Sequence, residues 1–163
     1  MSESSFDIVS KFDNQELVNA IDQTKRELGF RYDFKGSPYE IILEKDHLII
    51  SAQDDYKLKA IIDILLSKVI GRKMDARILD LSSESERAAG NTVRKKINLV
   101  QGLPKEKAKE ISKLINTNFK KVKVSIKGEE IRVSSPSKDI LQEVMGFLKE
   151  NDQKIPLQFT NYR

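Results

Sequence analysis

The chain has 163 residues, of which 39% are hydrophobic and 33% charged, with no cysteine and a single histidine, His47. The lack of cysteine excludes disulfides, thiolate zinc sites and cysteine nucleophiles, and one histidine is too few for a histidine metal cluster. No apolar run approaches the ~20 residues of a membrane span and no charged-then-apolar leader is present, so we expect a soluble, cytoplasmic protein without metal or cofactor.

The net charge of +4 is unevenly distributed along the chain. Residues 1–90 carry 13 Lys and Arg against 17 Asp and Glu, a net charge of −4, whereas residues 91–163 carry 16 against 8, a net charge of +8. Such an asymmetry attracts phosphate groups, although lysines scattered over solvated faces produce the same numbers. Composition therefore leaves both nucleic-acid or nucleotide binding and a plain solubilising surface open.

The first half of the chain predicts the element order β-α-β-β-α-β. Asp13 or Asn14 is placed to cap the first helix, and Asp54 or Asp55 to cap the second. From the periodicity of apolar residues we predict a strand at 6–12, a helix at 15–28, strands at 39–45 and 47–53, a helix at 54–72 and a strand at 76–82.

The second half repeats this order after a polar stretch at 82–91. Pro104 suits the first turn of a helix, Gly128 suits a hairpin turn, and Ser135 or Ser137 is placed to cap the last helix. The predicted elements are a strand at 92–100, a helix at 104–118, strands at 121–128 and 130–135, a helix at 135–151 and a strand at 155–163.

Two βαββαβ units predict an α+β protein with two ferredoxin-like sandwich domains. Each would have a four-stranded antiparallel sheet with two helices on one face, which leaves the other face open. We place the domains at 1–90 and 91–163. An alternative pairing fits the sequence equally well: the first and last strands of the chain lie side by side, and the middle of the chain forms the other domain.

An open four-stranded face is also the architecture of RNA-recognition modules, which stack bases on aromatic rings of their central strands. The strands predicted for that position, 47–53 and 130–135, contain no aromatic residue, so the ring signature of those modules is absent. Rings occur elsewhere. We expect Phe6, Phe12 and Phe34 in the core and Tyr162 in a more open position.

Two Lys-Gly pairs, at 35–36 and 127–128, place a cation beside a residue that readily takes positive φ, so backbone amides can approach a phosphate there. A plain turn explains such a pair equally well, at Gly128 above all. The glycine-rich loops of triphosphate and dinucleotide sites are absent, as are the motifs of serine hydrolases and zinc proteases. We expect His47 in an exposed turn and no catalytic residue.

Five segments, taken together and in this order, resemble the YajQ family: "SFDIVS" at 5–10, "RYDFKG" at 31–36, "KKINLVQG" at 95–102, "IKGEEIRVSS" at 126–135 and "QFTNYR" at 158–163. The resemblance implies two ferredoxin-like domains in a bacterial cytoplasmic protein that binds nucleotides. It suggests tRNA, GTP or ATP as ligands, and cyclic di-GMP for some members. It implies no enzymatic activity.

The leading hypothesis is a non-enzymatic nucleotide- or RNA-binding protein that uses a basic face of the second unit. The alternative is a protein-interaction adaptor that binds a partner on its open sheet faces. The period of a strand predicts Arg94 and Lys96 on one face and Lys95 on the other, and with Lys35 and the cations around Gly128 these would form a cationic track. The candidate binding residues are Arg31, Lys35, Gly36, Arg94, Lys95, Lys96, Lys127, Gly128, Arg132, Tyr162 and Arg163.

Overall fold

The computed structural model describes residues 3–163, which form two compact units. Unit 1 combines the N-terminal segment through Lys11 with Gln101–Arg163, and unit 2 is Phe12–Val100. In chain order the elements are β1 (Ser4–Val9), α1 (Asn14–Phe30), β2 (Tyr39–Leu43), β3 (His47–Ala52), α2 (Asp55–Gly71), β4 (Leu79–Asp80), β5 (Glu86–Ala88), β6 (Thr92–Leu99), α3 (Lys105–Asn118), β7 (Lys123–Lys127), β8 (Glu130–Ser135), α4 (Lys138–Glu150) and β9 (Gln158–Thr160).

Unit 1 has a four-stranded antiparallel sheet in the order β7-β8-β1-β9. Alternate residues of its central strands, such as Phe6 and Ile131, are fully buried in a core shared with α3 and α4. The ring of Phe6 meets that of Phe159 edge-on, with centroids 5.6 Å apart. Only one face of the sheet contributes to this core; we call the other the open face of unit 1, although Asp7 and Val9 of β1 are buried on it.

Unit 2 has its sheet in the order β2-β3-β6-β4, with β5 paired to β6. Here β6 occupies the place that β1 has in unit 1. Each lies beside the second strand of the hairpin, which is β3 in unit 2 and β8 in unit 1. Leu48, Ile50 and Ile97 are fully buried in a core with α1 and α2. The helices contribute apolar residues at helical spacing to this core: Leu17, Ala20, Ile21, Leu28, Leu58, Ile61 and Leu65.

The predicted α+β class with two ferredoxin-like units is confirmed. The structure divides the chain elsewhere than at residue 90, because β6 pairs along its length with β3, where Ile97 lies opposite Leu48 and completes the core of unit 2. The first strand, β1, pairs with the last strand, β9. Counted by unit, the net charge is 0 for Phe12–Val100 and +4 for the remainder, so the difference of 12 charges between the two halves of the chain shrinks to 4 between the two units.

Helix caps lie where the sequence placed them. The side chains of Asp13, Asp54 and Ser137 accept hydrogen bonds from backbone N–H groups in the first turns of α1, α2 and α4. Two local predictions differ from the structure. The expected strand at 76–82 is a 3₁₀ turn followed by the two residues of β4, and the polar stretch at 82–91, where no element is expected, contains β5. The segment "RYDFKG" contains a 3₁₀ turn at Tyr32–Phe34.

Candidate functional site

The three cations of β6 separate as the two-residue period of a strand predicts. Ile97 is buried against the helices, and Arg94 and Lys96 lie on the opposite, open face of unit 2, where both are exposed. Lys95 lies on the helix side beside Leu58 of α2, and its ammonium group donates to the carbonyl of Ser83. Arg94 and Lys96 therefore form a pair that Lys95 does not join.

A groove of about 450 Å³ lies on the open face of unit 2. Ile42 of β2 and Ile49 of β3 are directly opposite each other in the sheet and give the groove an apolar floor. Arg94 and Ser51, which are also paired across strands, give it a polar margin together with Glu40, the neighbour of Ser51 on β2. Its volume falls within the usual range for a small-molecule site, about 300 to 1,000 Å³.

The two cations of this face differ in their partners. The Nε of Arg94 lies 2.8 Å from Oε1 of Glu86 on β5, and both side chains are more than half exposed. Lys96, opposite Ile49, has no hydrogen-bond or ion-pair partner for its ammonium group among residues 3–163. Its charge contributes to lowering the pKa of Asp46, after the larger effect of the hydrogen bond from His47. One cation is thus unpartnered, and the other is held by a solvated carboxylate.

The "RYDFKG" segment places its residues at one end of the helix layer of unit 2. Arg31 forms a two-point contact with Asp33, at 2.8 and 3.0 Å, and this hydrogen bonding raises the pKa of Arg31. Phe34 is buried, as expected for a core residue. Lys35 is exposed, and Gly36 has φ +72°, which suits glycine at the end of the turn.

Arg132 of unit 1 is engaged by a carboxylate. Its Nε lies 3.0 Å from Oδ1 of Asp7, directly across the β1–β8 pair, and Asp7 is only 2% exposed. Asn161 donates to the other oxygen of Asp7 at 2.9 Å. The hydrogen bond from Arg132 is the main cause that lowers the pKa of Asp7; burial opposes it and the bond from Asn161 reinforces it. This cluster ties the C-terminal segment to the sheet.

The remaining candidates of unit 1 lie at its hairpin and its C-terminus. Gly128 takes the first position of the two-residue β7–β8 turn with φ +60°, as its hairpin interpretation requires. The neighbouring Lys127 is exposed, Tyr162 is 42% exposed, and Arg163 exchanges two backbone hydrogen bonds with Ser5.

Sequence reasoning missed several residues that define these sites. Ile42 and Ile49 lie in apolar runs, and alternation alone, with Ile41 and Ile50 facing the helices, marks them as the outer members. No local signal identifies Asp7 as the partner of Arg132, because 125 residues separate them. Within residues 3–163, no group of three or more His, Asp or Glu side chains is placed to hold a metal ion, and no helix is long and apolar enough to cross a membrane.

Comparison with known proteins places the chain in a family. A family model described as nucleotide-binding protein YajQ-like matches residues 4–163. A nucleotide-binding protein of Acaryochloris marina is 51% identical over 162 residues, which cover 99% of each chain. Relatives with the same description in Synechococcus elongatus and Koribacter versatilis are 49% and 48% identical, over at least 98% of each chain. The chain belongs to the YajQ-like family.

Proposed function

We propose that this protein is a non-enzymatic nucleotide-binding protein whose ligand occupies the groove on the open face of unit 2. The observation that supports this most strongly is the combination of an apolar floor, Ile42 and Ile49, with two cations, Arg94 and Lys96, on the same face. A nucleotide carries a flat base and an anionic phosphate, which match these two surfaces. The relatives described as nucleotide-binding proteins support the same ligand class.

The base lies on the isoleucine floor and the phosphates contact Arg94 and Lys96. A phosphate competes with Glu86 for Arg94, whereas Lys96 is available without displacing a carboxylate. Charge-assisted hydrogen bonds of this kind are short and about twice as strong as neutral ones. GTP, ATP and cyclic di-GMP are candidate ligands, and tRNA is a candidate macromolecular source of the same chemistry.

Calorimetric titration with ATP, GTP and cyclic di-GMP tests the site. The double variant Arg94→Ala/Lys96→Ala should bind about 10- to 100-fold more weakly than the parent, since each lost contact involves a charge. The matched control Lys25→Ala/Arg26→Ala removes the same charge from the exposed side of α1 and should bind as the parent does. Equal affinity of the Arg94/Lys96 variant and the parent would refute the proposal.

Salt separates this function from a protein-interaction adaptor. Phosphate binding by exposed cations weakens as ionic strength rises, because the Debye length shortens from about 10 Å at 0.1 M to about 3 Å at 1 M. An apolar protein interface on the same face responds little. The ligands should also remain chemically unchanged after long incubation, and turnover abolished by one carboxylate substitution would show that the protein is an enzyme.

A further inference from the structure

The sheet of unit 2 has one long edge strand that no other strand covers. Within residues 3–163, β2 pairs with β3 on one side and with no strand on the other. All five of its residues pair one to one with β3, so the strand has no bulge. The opposite edge of the sheet is formed by β4 and β5, which have only two and three residues. An edge that is long and regular is a template for pairing with another chain.

The hairpin fixes which backbone groups of β2 point away from the sheet. The N–H of Glu44 donates to the carbonyl of His47 at 2.8 Å, so this pair is hydrogen-bonded. Bonded and non-bonded pairs alternate along an antiparallel ladder, and the even-numbered residues of β2 therefore bond to β3. The odd-numbered residues direct their N–H and C=O groups outward, without other hydrogen-bond partners in residues 3–163: Tyr39, Ile41 and Leu43.

The strand β2 lacks the features that usually protect an edge. Protected edges carry lysines, inward-pointing charges, bulges or a proline that removes an outward N–H. The edge strand β7 of unit 1 begins and ends with Lys123 and Lys127, whereas β2 contains no lysine and its one charge is Glu40. Pro38 precedes β2 at an even position, so the N–H that it lacks would point toward β3. Unit 2 therefore leaves its edge open to pairing.

A second copy of β2 fits this edge best in one antiparallel register. With Ile41 opposite Ile41 of the second copy, the outward backbone groups meet, and Glu40 lies opposite Ile42 of the second copy. Shifting the two-fold axis by one residue in either direction keeps the backbone match but sets Glu40 opposite Glu40 or Glu44 of the second copy. Like charges directly opposite each other are destabilising in a sheet. Charge therefore selects the register centred on Ile41.

The side chains match on both sides of this junction. On the helix side, Ile41 is 3% exposed, and the half-buried Tyr39 of each copy lies opposite the half-buried Leu43 of the other. Apolar side chains opposite each other gain contact and lose exposed surface. On the open face, Glu40 gains an uncharged neighbour. The strand that complements β2 in this way is β2 itself, which favours a second copy over a foreign segment.

We propose that two copies of this protein associate through β2 in this register and join their unit 2 sheets into one continuous antiparallel sheet. The two open faces then form one surface, in which Ile42 of the second copy lies beside Glu40 at the margin of the groove. The second copy thus adds an apolar residue to each groove. This addition matters for ligand binding only if the proposed function holds, whereas the dimer itself does not depend on that function.

Sedimentation equilibrium at several protein concentrations tests the proposal through the sign of one charge. The parent should have the mass of two chains. Ile42→Glu places a carboxylate opposite Glu40 of the second copy, twice in each dimer, and should raise the dissociation constant of the dimer about tenfold or more. The matched control Ile42→Lys introduces a charge of the opposite sign at the same place and should stay dimeric. Circular dichroism checks that both variants are folded.

A second substitution should restore the dimer. In Ile42→Glu/Glu40→Lys, the new lysine lies opposite the new carboxylate of the second copy, so the dissociation constant should return toward that of the parent. A parent that is monomeric at every concentration overturns the proposal and leaves the edge to an extended segment of another protein. Equal dissociation constants of Ile42→Glu and Ile42→Lys also overturn it, because the contact would then not set residue 42 against Glu40.

Cysteine cross-linking checks the register without charge, since the chain has no cysteine of its own. In the proposed junction, residues 40 and 42 of the two copies form non-bonded pairs with Cα atoms about 4.5 Å apart, which a disulfide can span. Residues at the same position in both copies are diagonal neighbours at about 7–8 Å, which is too far. A mixture of Glu40→Cys and Ile42→Cys proteins, one of them tagged, should cross-link much faster than either alone. Equal rates would contradict the register.

The dimer and the nucleotide groove can fail separately. Arg94→Ala/Lys96→Ala changes β6, two strands away from β2, so this variant should lose nucleotide affinity and remain dimeric. A monomer that binds nucleotides would overturn the dimer alone, and a dimer without nucleotide affinity would overturn the proposed function alone. A monomeric Arg94→Ala/Lys96→Ala variant would place the contact on the open face and overturn the β2 junction.

Discussion

The open faces of the two units carry arginines in different states. On unit 1, Arg132 lies across from Asp7, whose carboxylate is buried and bound from two sides. On unit 2, the cross-strand neighbour of Arg94 is Ser51, and its only carboxylate contact in the described residues is the solvated Glu86. Unit 1 thus uses its arginine to stabilise the sheet, whereas unit 2, with the same architecture, leaves its arginine accessible to a ligand. Whether the arginine stabilises the fold or can bind a ligand therefore depends on its cross-strand neighbour.

The largest effect should come from removing the buried member of the pair in unit 1. Asp7→Ala deletes charge-assisted hydrogen bonds to Arg132 and Asn161, so the free energy of unfolding should fall by about 2 kcal/mol. Urea denaturation followed by circular dichroism measures the change. Glu143→Ala, an exposed carboxylate of α4, is the control and should stay close to the parent. Nucleotide affinity should not change, and a loss of it would break the division of roles between the two faces.

Acid should produce a smaller effect at the same pair. The folded pKa of Asp7 lies below its ordinary value of 3.8, chiefly because Arg132 donates to the carboxylate. The stabilisation is therefore fully present above the unfolded pKa of about 3.9 and is lost as the pH falls through the folded pKa. Thermal unfolding between about pH 6 and pH 2.5 should show a steeper acid-side loss of stability for the parent than for Asp7→Ala. Parallel curves would contradict the role given to Asp7.

The smallest effect should come from the solvated partner in unit 2. Glu86→Ala frees the guanidinium of Arg94 and should tighten nucleotide binding about 2- to 5-fold at low salt, the range expected for one exposed ion pair. The gain should shrink as salt is added. Calorimetry measures both. Glu84→Ala serves as the control, because this exposed carboxylate two residues earlier has no contact with Arg94 in the described structure. Weaker binding by Glu86→Ala would mean that Glu86 itself holds the ligand.

Local features of this molecule could be predicted from the sequence, and long-range pairings could not. Helix faces and caps follow from spacing, as Asp13 and Asp54 show, and the alternation along β6 places Arg94 and Lys96 together. The choice of β3 as the partner of β6 depends on which core Ile97 completes, which no local pattern encodes. The short β5 lies within a stretch whose polarity predicts a loop.

For the candidate site, too, only what local spacing determines could be predicted from the sequence. Cations on a strand could be assigned to faces, but their partners could not, since the carboxylate that engages Arg132 comes from the other end of the chain. The apolar floor of the groove required the register of β2 on β3.

Amide chemical shifts followed during a nucleotide titration show which of the two sheets holds the ligand, because they report both open faces at once in the unmodified protein. If the groove of unit 2 is the site, the shifts that change with GTP or cyclic di-GMP should cluster at Ile42, Ile49, Ser51 and Arg94 and leave β1 and β8 unaffected. Changes centred on Asp7 and Arg132, with none in β3 and β6, would contradict the account and place the ligand on unit 1.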